Sequence, residues 1–266
     1  MSMPAFVPDG YEKHLVPLIF APYAKDLAAR TTRETDQQLL ELACGTGVLT
    51  RELISGLPSS AALVVTDYSE SMLDFAKTTC ESMPPEGPNL KWQIADGSNL
   101  PFEDGRFDTI VCQFGLMFFP DKERALSEAK RVLRPGGRLI FNVWGTMQDN
   151  PIFFAVESAL KARFPEEEGL MLPTPCSMAD EEMLQTLMKE AGFKQIVTSR
   201  IQFPVCGHPA AQVASGFLQG TPISGFLVES GISVQEMHVE LEELVRNTMG
   251  DPIETSMLAI VCEAVA

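Results

Sequence analysis

The stretch LLELACGTGVLT, Leu39–Thr50, ends an apolar run in an acid, Glu41, and passes at once into the turn Gly45-Thr46-Gly47. Two glycines at this spacing permit a tight turn and let a backbone approach a ligand with no Cβ in the way. Val48, Leu49, Leu53 and Ile54 then recur at helical spacing, so a helix starts here and aims its free N–H groups at the same place. The chemistry on offer is recognition of a nucleotide or a carboxylate. Asp67, twenty residues beyond Gly47, stands where an acid can accept hydrogen bonds from ribose hydroxyls. A dinucleotide fingerprint asks for a third glycine, and that position is Thr50.

The remaining reactive side chains are few. There are three histidines. His14 and His208 fall in segments that can reach a pocket mouth and are candidate general bases. His238 lies in a charged helical stretch and reads as a surface residue. Six cysteines occur at positions 44, 80, 112, 176, 206 and 262, none in a C-x-x-C pair, so no metal site is expected.

A doubly wound sheet must position these groups. Continuous apolar runs predict buried strands at Ala62–Asp67, Leu90–Ala95 and Phe107–Gln113. Further strands are expected at Arg138–Val143, Lys194–Val205 and Glu254–Glu263, with Ser69 as a helix N-cap and Gly192 as a helix stop. Asp108 suits a structural role near the start of its strand. Gly115 permits close backbone approach beside the first strand, where Gln113 and Phe114 emerge at the switch point and Met117 and Phe118 follow. Tyr11 to about Ala29 has a helical pattern interrupted by Pro17 and Pro22, which predicts two short helices or a kink. Residues 147–178 and 207–250 are too long for connections and read as partly helical insertions. They carry Phe153, Phe154, Phe164, Met171, Phe217 and Phe226, which suit either an apolar acceptor pocket or cap-to-core packing. The acidic run Glu166 to Glu168 reads as solvated.

E-x-A-C-G-T-G, the strand opening F-D at Phe107, QFGLMFFPD (Gln113–Asp121) and Leu-x-Pro-Gly-Gly within RVLRPGGRL together resemble the class I S-adenosylmethionine (SAM) methyltransferases. The stretch QFGLMFFPD looks like the corresponding piece of the ubiquinone/menaquinone-biosynthesis C-methyltransferases and their many small-molecule relatives. The resemblance is strong over residues 38–145 and continues by order of elements through 179–205 and 253–264. It implies a Rossmann-like α/β fold, a seven-stranded sheet whose antiparallel last strand lies between the fifth and sixth, and a partly helical cap. It implies SAM as cofactor. Glu41 would end the first strand, Gly45 and Gly47 would pass beneath the methionine part, and Ala43 and Cys44 would join them in binding the cofactor. Asp67 would hold the ribose, and Tyr68 and Met72 would flank the adenine. Asp96, with Gly97 and Ser98, would meet the adenine amino group, and Gln113, Phe114 and Gly115 the methionine amino group. A tyrosine of the arm, with Tyr23 as the candidate, would reach the cofactor. Met117, Phe118, Trp144 and His14 would face the methyl acceptor.

Residues 1–266 therefore read as a single methyltransferase domain with an arm at 1–30 and cap insertions at 147–178 and 207–250. The expected function is SAM-dependent methyl transfer to a small organic molecule, on O, N or C. Two rivals stay open: a SAM-binding fold used for a non-methylating reaction or as a binding module, and an NAD(P)-dependent oxidoreductase. A net charge of −16 argues against a nucleic-acid partner. The start MSMPAFVPDG lacks a signal-peptide pattern, and no apolar run is long enough for a membrane span, so a cytoplasmic location is expected.

Overall fold

The computed structural model describes residues 7–31, 38–81, 83, 87–165 and 174–266. The start of the arm, part of the loop at 83–88, Met171 and the run Glu166 to Glu168 lie outside the described residues. Seven strands form one sheet in the order β3-β2-β1-β4-β5-β7-β6. They are β1 (Gln38–Leu42), β2 (Ala62–Asp67), β3 (Asn89–Ile94), β4 (Phe107–Gln113), β5 (Leu133–Trp144), β6 (Lys194–Cys206) and β7 (Glu254–Val265). The first five pair in parallel, and β7 runs antiparallel between β5 and β6. The chain winds one way from β1 to β2 and β3, and the other way from β4 to β5. The carboxyl ends of β1 and β4 therefore diverge and open a crevice between them.

The expected elements are present with small shifts of boundary. Asp108 accepts the Gln38 amide at 2.7 Å and ties the starts of β4 and β1 together. The Pro-Gly-Gly turn lies within β5 as a register shift rather than before it: Phe107 pairs with Leu133 and Thr109 with Arg138. Gly136 there has φ of +80°, which glycine adopts without strain.

The arm is one continuous helical run rather than two separate short helices: α1 (Pro8–Gly10), a π-helix (Tyr11–Phe20) and α2 (Ala21–Thr31). Pro17 sits inside the π segment, whose wider turns change the register before the α-helix resumes. Arg138 donates to the carbonyls of Arg30 and Thr31 and anchors the end of α2 on the sheet.

On the sheet's flanks lie α3 (Val48–Gly56), α4 (Glu70–Cys80), α5 (Lys122–Val132) and α7 (Glu181–Glu190). The cap consists of α6 (Pro151–Arg163), α8 (Ala210–Gly220), α9 (Ile223–Glu229) and α10 (Val234–Met249). The short α9 was not expected. One apolar core is continuous from the arm through β4 and β5 into α6, α8 and α10. Among the described residues no helix is long and apolar enough to cross a membrane, and no cluster of side chains could hold a metal ion.

Candidate functional site

The loop after β1 is built by strain and hydrogen bonds. Ala43 and Phe114, at the ends of β1 and β4, have φ of +53° and +50°. Two non-glycine residues in the left-handed region on either side of the crevice are costly, and such strain clusters at functional sites. They persist because their surroundings hold them. The Phe114 amide donates to the Asn142 side-chain oxygen at 2.9 Å. A Cβ on Gly115 would meet that of Ala43 at 2.5 Å, so only glycine lets the two chain ends approach. Gly45 and Gly47 have φ of +56° and +85°, and nothing lies within 4 Å of a Cβ built on Gly45.

Asp67, at the end of β2, fixes the turn. Its two carboxylate oxygens accept the amides of Gly45 at 2.9 Å and Ser69 at 2.8 Å. Each oxygen has a second lone pair for a ligand. Burial raises its pKa above the ordinary value, against the pull of those amides. Glu41 is 1% exposed and turned beneath the turn, where Thr50 donates to it at 2.8 Å. Burial, with the charge of Asp67 adding to it, pushes the Glu41 carboxyl up to about 8. Thr50, the residue that breaks the dinucleotide fingerprint, is thus the partner of the buried acid.

The other predicted residues are distributed around this edge. Tyr68 is 78% exposed beside Asp67, and Met72 is buried. Cys44 is buried in the turn itself. Asp96, following β3, accepts the amide and hydroxyl of Ser98, and Gly97 lies against the Phe119 ring. Gln113 donates to the Phe20 carbonyl at 3.1 Å, while its Oε1 is buried with no hydrogen-bond partner among the described residues.

A cavity opens beside the crevice between the arm, the sheet edge and the cap. Tyr11, Phe20, Phe118, Trp144, Phe153 and Phe217 contribute to its walls, and among the described residues no charged side chain lines it. Trp144 stacks on Phe114 with ring centroids 3.9 Å apart and 10° between planes.

Four expectations need correction. Tyr23 is 1% exposed, donates its hydroxyl to the Met257 carbonyl and packs on Phe114, Trp144 and Phe203, so it is a packing residue. The arm tyrosine at the cavity is Tyr11, which stacks on Phe20. Burial raises the Tyr11 phenol, and the charges of Glu12 and Asp67 add to it. Met117 is 1% exposed within the core and is absent from the cavity wall. His14 and His208 do not line the cavity either. His14 interacts with Gln219 and His208 with Gln212, both on α8. His238 also meets α8, through Ser215 at 3.0 Å. No local motif or period marks Tyr11, Thr50 or Asn142 as site residues.

Residues 39–137 match the family described as Methyltransferase domain. The ubiquinone/menaquinone biosynthesis C-methyltransferase UbiE of Escherichia coli O1:K1 is 30% identical over 170 residues, which span 60% of this chain and 67% of that protein. The chain belongs to the class I SAM-dependent methyltransferases. Its reaction is methyl transfer and its cofactor is SAM. Solved structures share this methyltransferase fold. The YcgJ protein of Bacillus subtilis is 16% identical with a TM-score of 0.60, over 92% of this chain and 98% of that one. Phosphoethanolamine N-methyltransferase 2 of Haemonchus contortus, solved with phosphomonomethylethanolamine and S-adenosylhomocysteine, is 14% identical with a TM-score of 0.60, over 97% of this chain and 56% of that one.

Proposed function

We propose that this methyltransferase methylates an uncharged, largely apolar small molecule held in the aromatic cavity. The observation that carries this reading is the lining of the cavity: among the described residues it consists of aromatic and aliphatic side chains with Thr221 and no charged group, at the carboxyl end of β5. Burying an unpaired charge there would be costly, so ionic acceptors are disfavoured. UbiE proteins, named for ubiquinone and menaquinone biosynthesis, support an acceptor of this kind. The protein reads as one domain over residues 1–266, with the arm at 1–30 and the cap at 147–178 and 207–250. Its six free thiols are compatible with a cytoplasmic location, and its charge of −16 with no nucleic-acid partner.

The crevice suits SAM. The open space beyond Gly45 can take the methionine part, and the orphaned Gln113 Oε1 can accept from its amino group. Ala43, Cys44, Gly47, Phe114 and Gly115 would shape that end of the site. Asp67 would accept from the ribose, Tyr68 and Met72 would flank the adenine, and Asp96 with Gly97 and Ser98 would meet its amino group. Glu41 would act from beneath, holding the turn through Thr50.

When bound, SAM supplies a methyl group already activated on a sulfonium. The protein's part is alignment and exclusion of water. Phe118 and Trp144 would set the plane of the acceptor, with Tyr11 and Phe20 closing over it. Burial keeps the proton on the Tyr11 phenol. Among the described residues the cavity wall holds no ionised base, which favours an electron-rich carbon or an acidic hydroxyl over an aliphatic amine.

The test is a panel of acceptors with isotope-labelled SAM: uncharged phenols and quinols against amines and carboxylates. Methylation is expected in the first group. Trp144→Ala should lower turnover of the best acceptor while SAM binding persists. Turnover confined to charged amines or carboxylates would overturn the reading.

A further inference from the structure

Arg51 lies one helical turn beyond Gly47 and joins three separate parts of the chain. Its Nη1 donates to the Thr46 carbonyl, inside the glycine turn, at 3.1 Å, and to the Thr79 hydroxyl on α4 at 3.1 Å. Its Nη2 donates to Glu12 Oε1, in the arm, at 2.6 Å. The side chains of Arg51 and Glu12 are only 22% and 25% exposed, so the pair is partly shielded from water. Glu12 immediately follows Tyr11, and Leu15 and Ile19 stand farther along the same helix. All three of those neighbours line the cavity. One guanidinium therefore connects the backbone of the cofactor turn to the wall of the acceptor cavity. Two buried oxygens at this junction, Glu12 Oε2 and Thr46 Oγ1, have no hydrogen-bond partner among the described residues.

We propose that Arg51 is a positioning residue that latches the arm to the cofactor turn, so that filling the turn and docking the arm reinforce each other. The proposal rests on the cofactor site described above. A ligand on Gly45 and Gly47 steadies the Thr46 carbonyl. That carbonyl orients Arg51, and Arg51 holds Glu12. The arm then stays down with Tyr11 and Phe20 over the acceptor. Any such coupling is reciprocal: what the ligand gives to arm docking, arm docking returns to ligand affinity. Arginine suits this junction because its planar fork can address a carbonyl and a carboxylate at once, which a lysine ammonium does less well.

The experiment uses the full chain and S-adenosylhomocysteine as the probe. Hydrogen–deuterium exchange of the arm amides at 11–20 is measured with and without saturating probe, and probe affinity is measured by calorimetry. In the parent chain the probe should slow exchange of the arm. In Glu12→Gln and Arg51→Met the probe should still bind, within about fivefold of the parent, as expected for a partly exposed ion pair. Its protection of the arm should fall by a similar factor. The double variant should be no worse than Arg51→Met alone, because the two residues act as one contact. Arg51→Lys should recover part of the protection. Equal protection of the arm in the parent, Glu12→Gln and Arg51→Met would overturn the latch, as would additive effects in the double variant. Loss of probe binding to the parent chain would overturn the cofactor site itself, and the latch with it.

Discussion

Glu41 shows how one buried side chain carries a property of the whole chain. In the unfolded state its carboxyl titrates near the ordinary 4.5, and in the folded state burial pushes it up to about 8. Between those values the folded chain keeps a proton that the unfolded chain has released. Its contribution to stability is therefore complete below the lower value and declines as pH rises through the window. Urea midpoints measured from pH 5 to pH 8 should show this decline in the parent. Glu41→Gln keeps the shape without the ionisation and should flatten that component; identical slopes would contradict a protonated Glu41. Gly45 offers a second test at this scale. A side chain there meets no protein atom within 4 Å but must adopt φ of +56°. Gly45→Val should cost about 1–2 kcal/mol of stability through backbone strain alone. It should abolish binding of S-adenosylhomocysteine, because the branched side chain fills the space for the methionine part. Unchanged calorimetric titrations would show that the turn serves only the backbone.

Among the elements, the arm and α8 approach more closely than ordinary helices do. A Cβ on Gly10 would lie 2.2 Å from the Gln219 carbonyl oxygen, and one on Gly220 would lie 2.8 Å from the Tyr11 backbone. Backbone cannot give way as a flexible side chain can. Gly10→Val should therefore lift the start of the arm from α8, at a cost of about 1–3 kcal/mol. The arm would keep its lower anchor, where Arg138 holds the carbonyls of Arg30 and Thr31. Faster hydrogen exchange around Tyr11, with exchange in α2 unchanged, is the expected pattern. Equal loosening along both segments would mean that the arm moves as one rod.

For the molecule as a whole, cap and sheet are not separable bodies. Trp144 at the end of β5 touches Phe153 of α6, and Phe153 touches Phe217 of α8. Tyr23 joins the same aromatic chain from the arm, through its contact with Trp144. The cavity lies where these three layers meet, so its shape depends on all of them, while the glycine turn depends on the sheet edge. On the proposed reading, this division would separate recognition of the cofactor from choice of the acceptor.

The strands and the glycine turn were legible in the sequence because their signals are local. A buried parallel strand is an unbroken apolar run. The turn after β1 needs Gly45 and Gly47 within a few residues of each other, whatever the rest of the chain does. The order of elements, including the antiparallel β7, followed from the resemblance those local motifs carry. The directions of the arm's side chains were not legible, because an apolar helical pattern does not tell a π-helix from an α-helix. The π-helix from Tyr11 to Phe20 turns each residue through a smaller angle, so Tyr11, His14 and Tyr23 point elsewhere than an α-helix would send them. Hence Tyr11 reaches the cavity, His14 faces α8 and Tyr23 is buried. The partnership of Glu41 with Thr50, and the junction of Glu12, Arg51 and Thr46, join residues whose proximity is set by how the arm, the sheet and α3 pack. Local sequence fixes which side chains each segment can offer, and packing decides which of them meet.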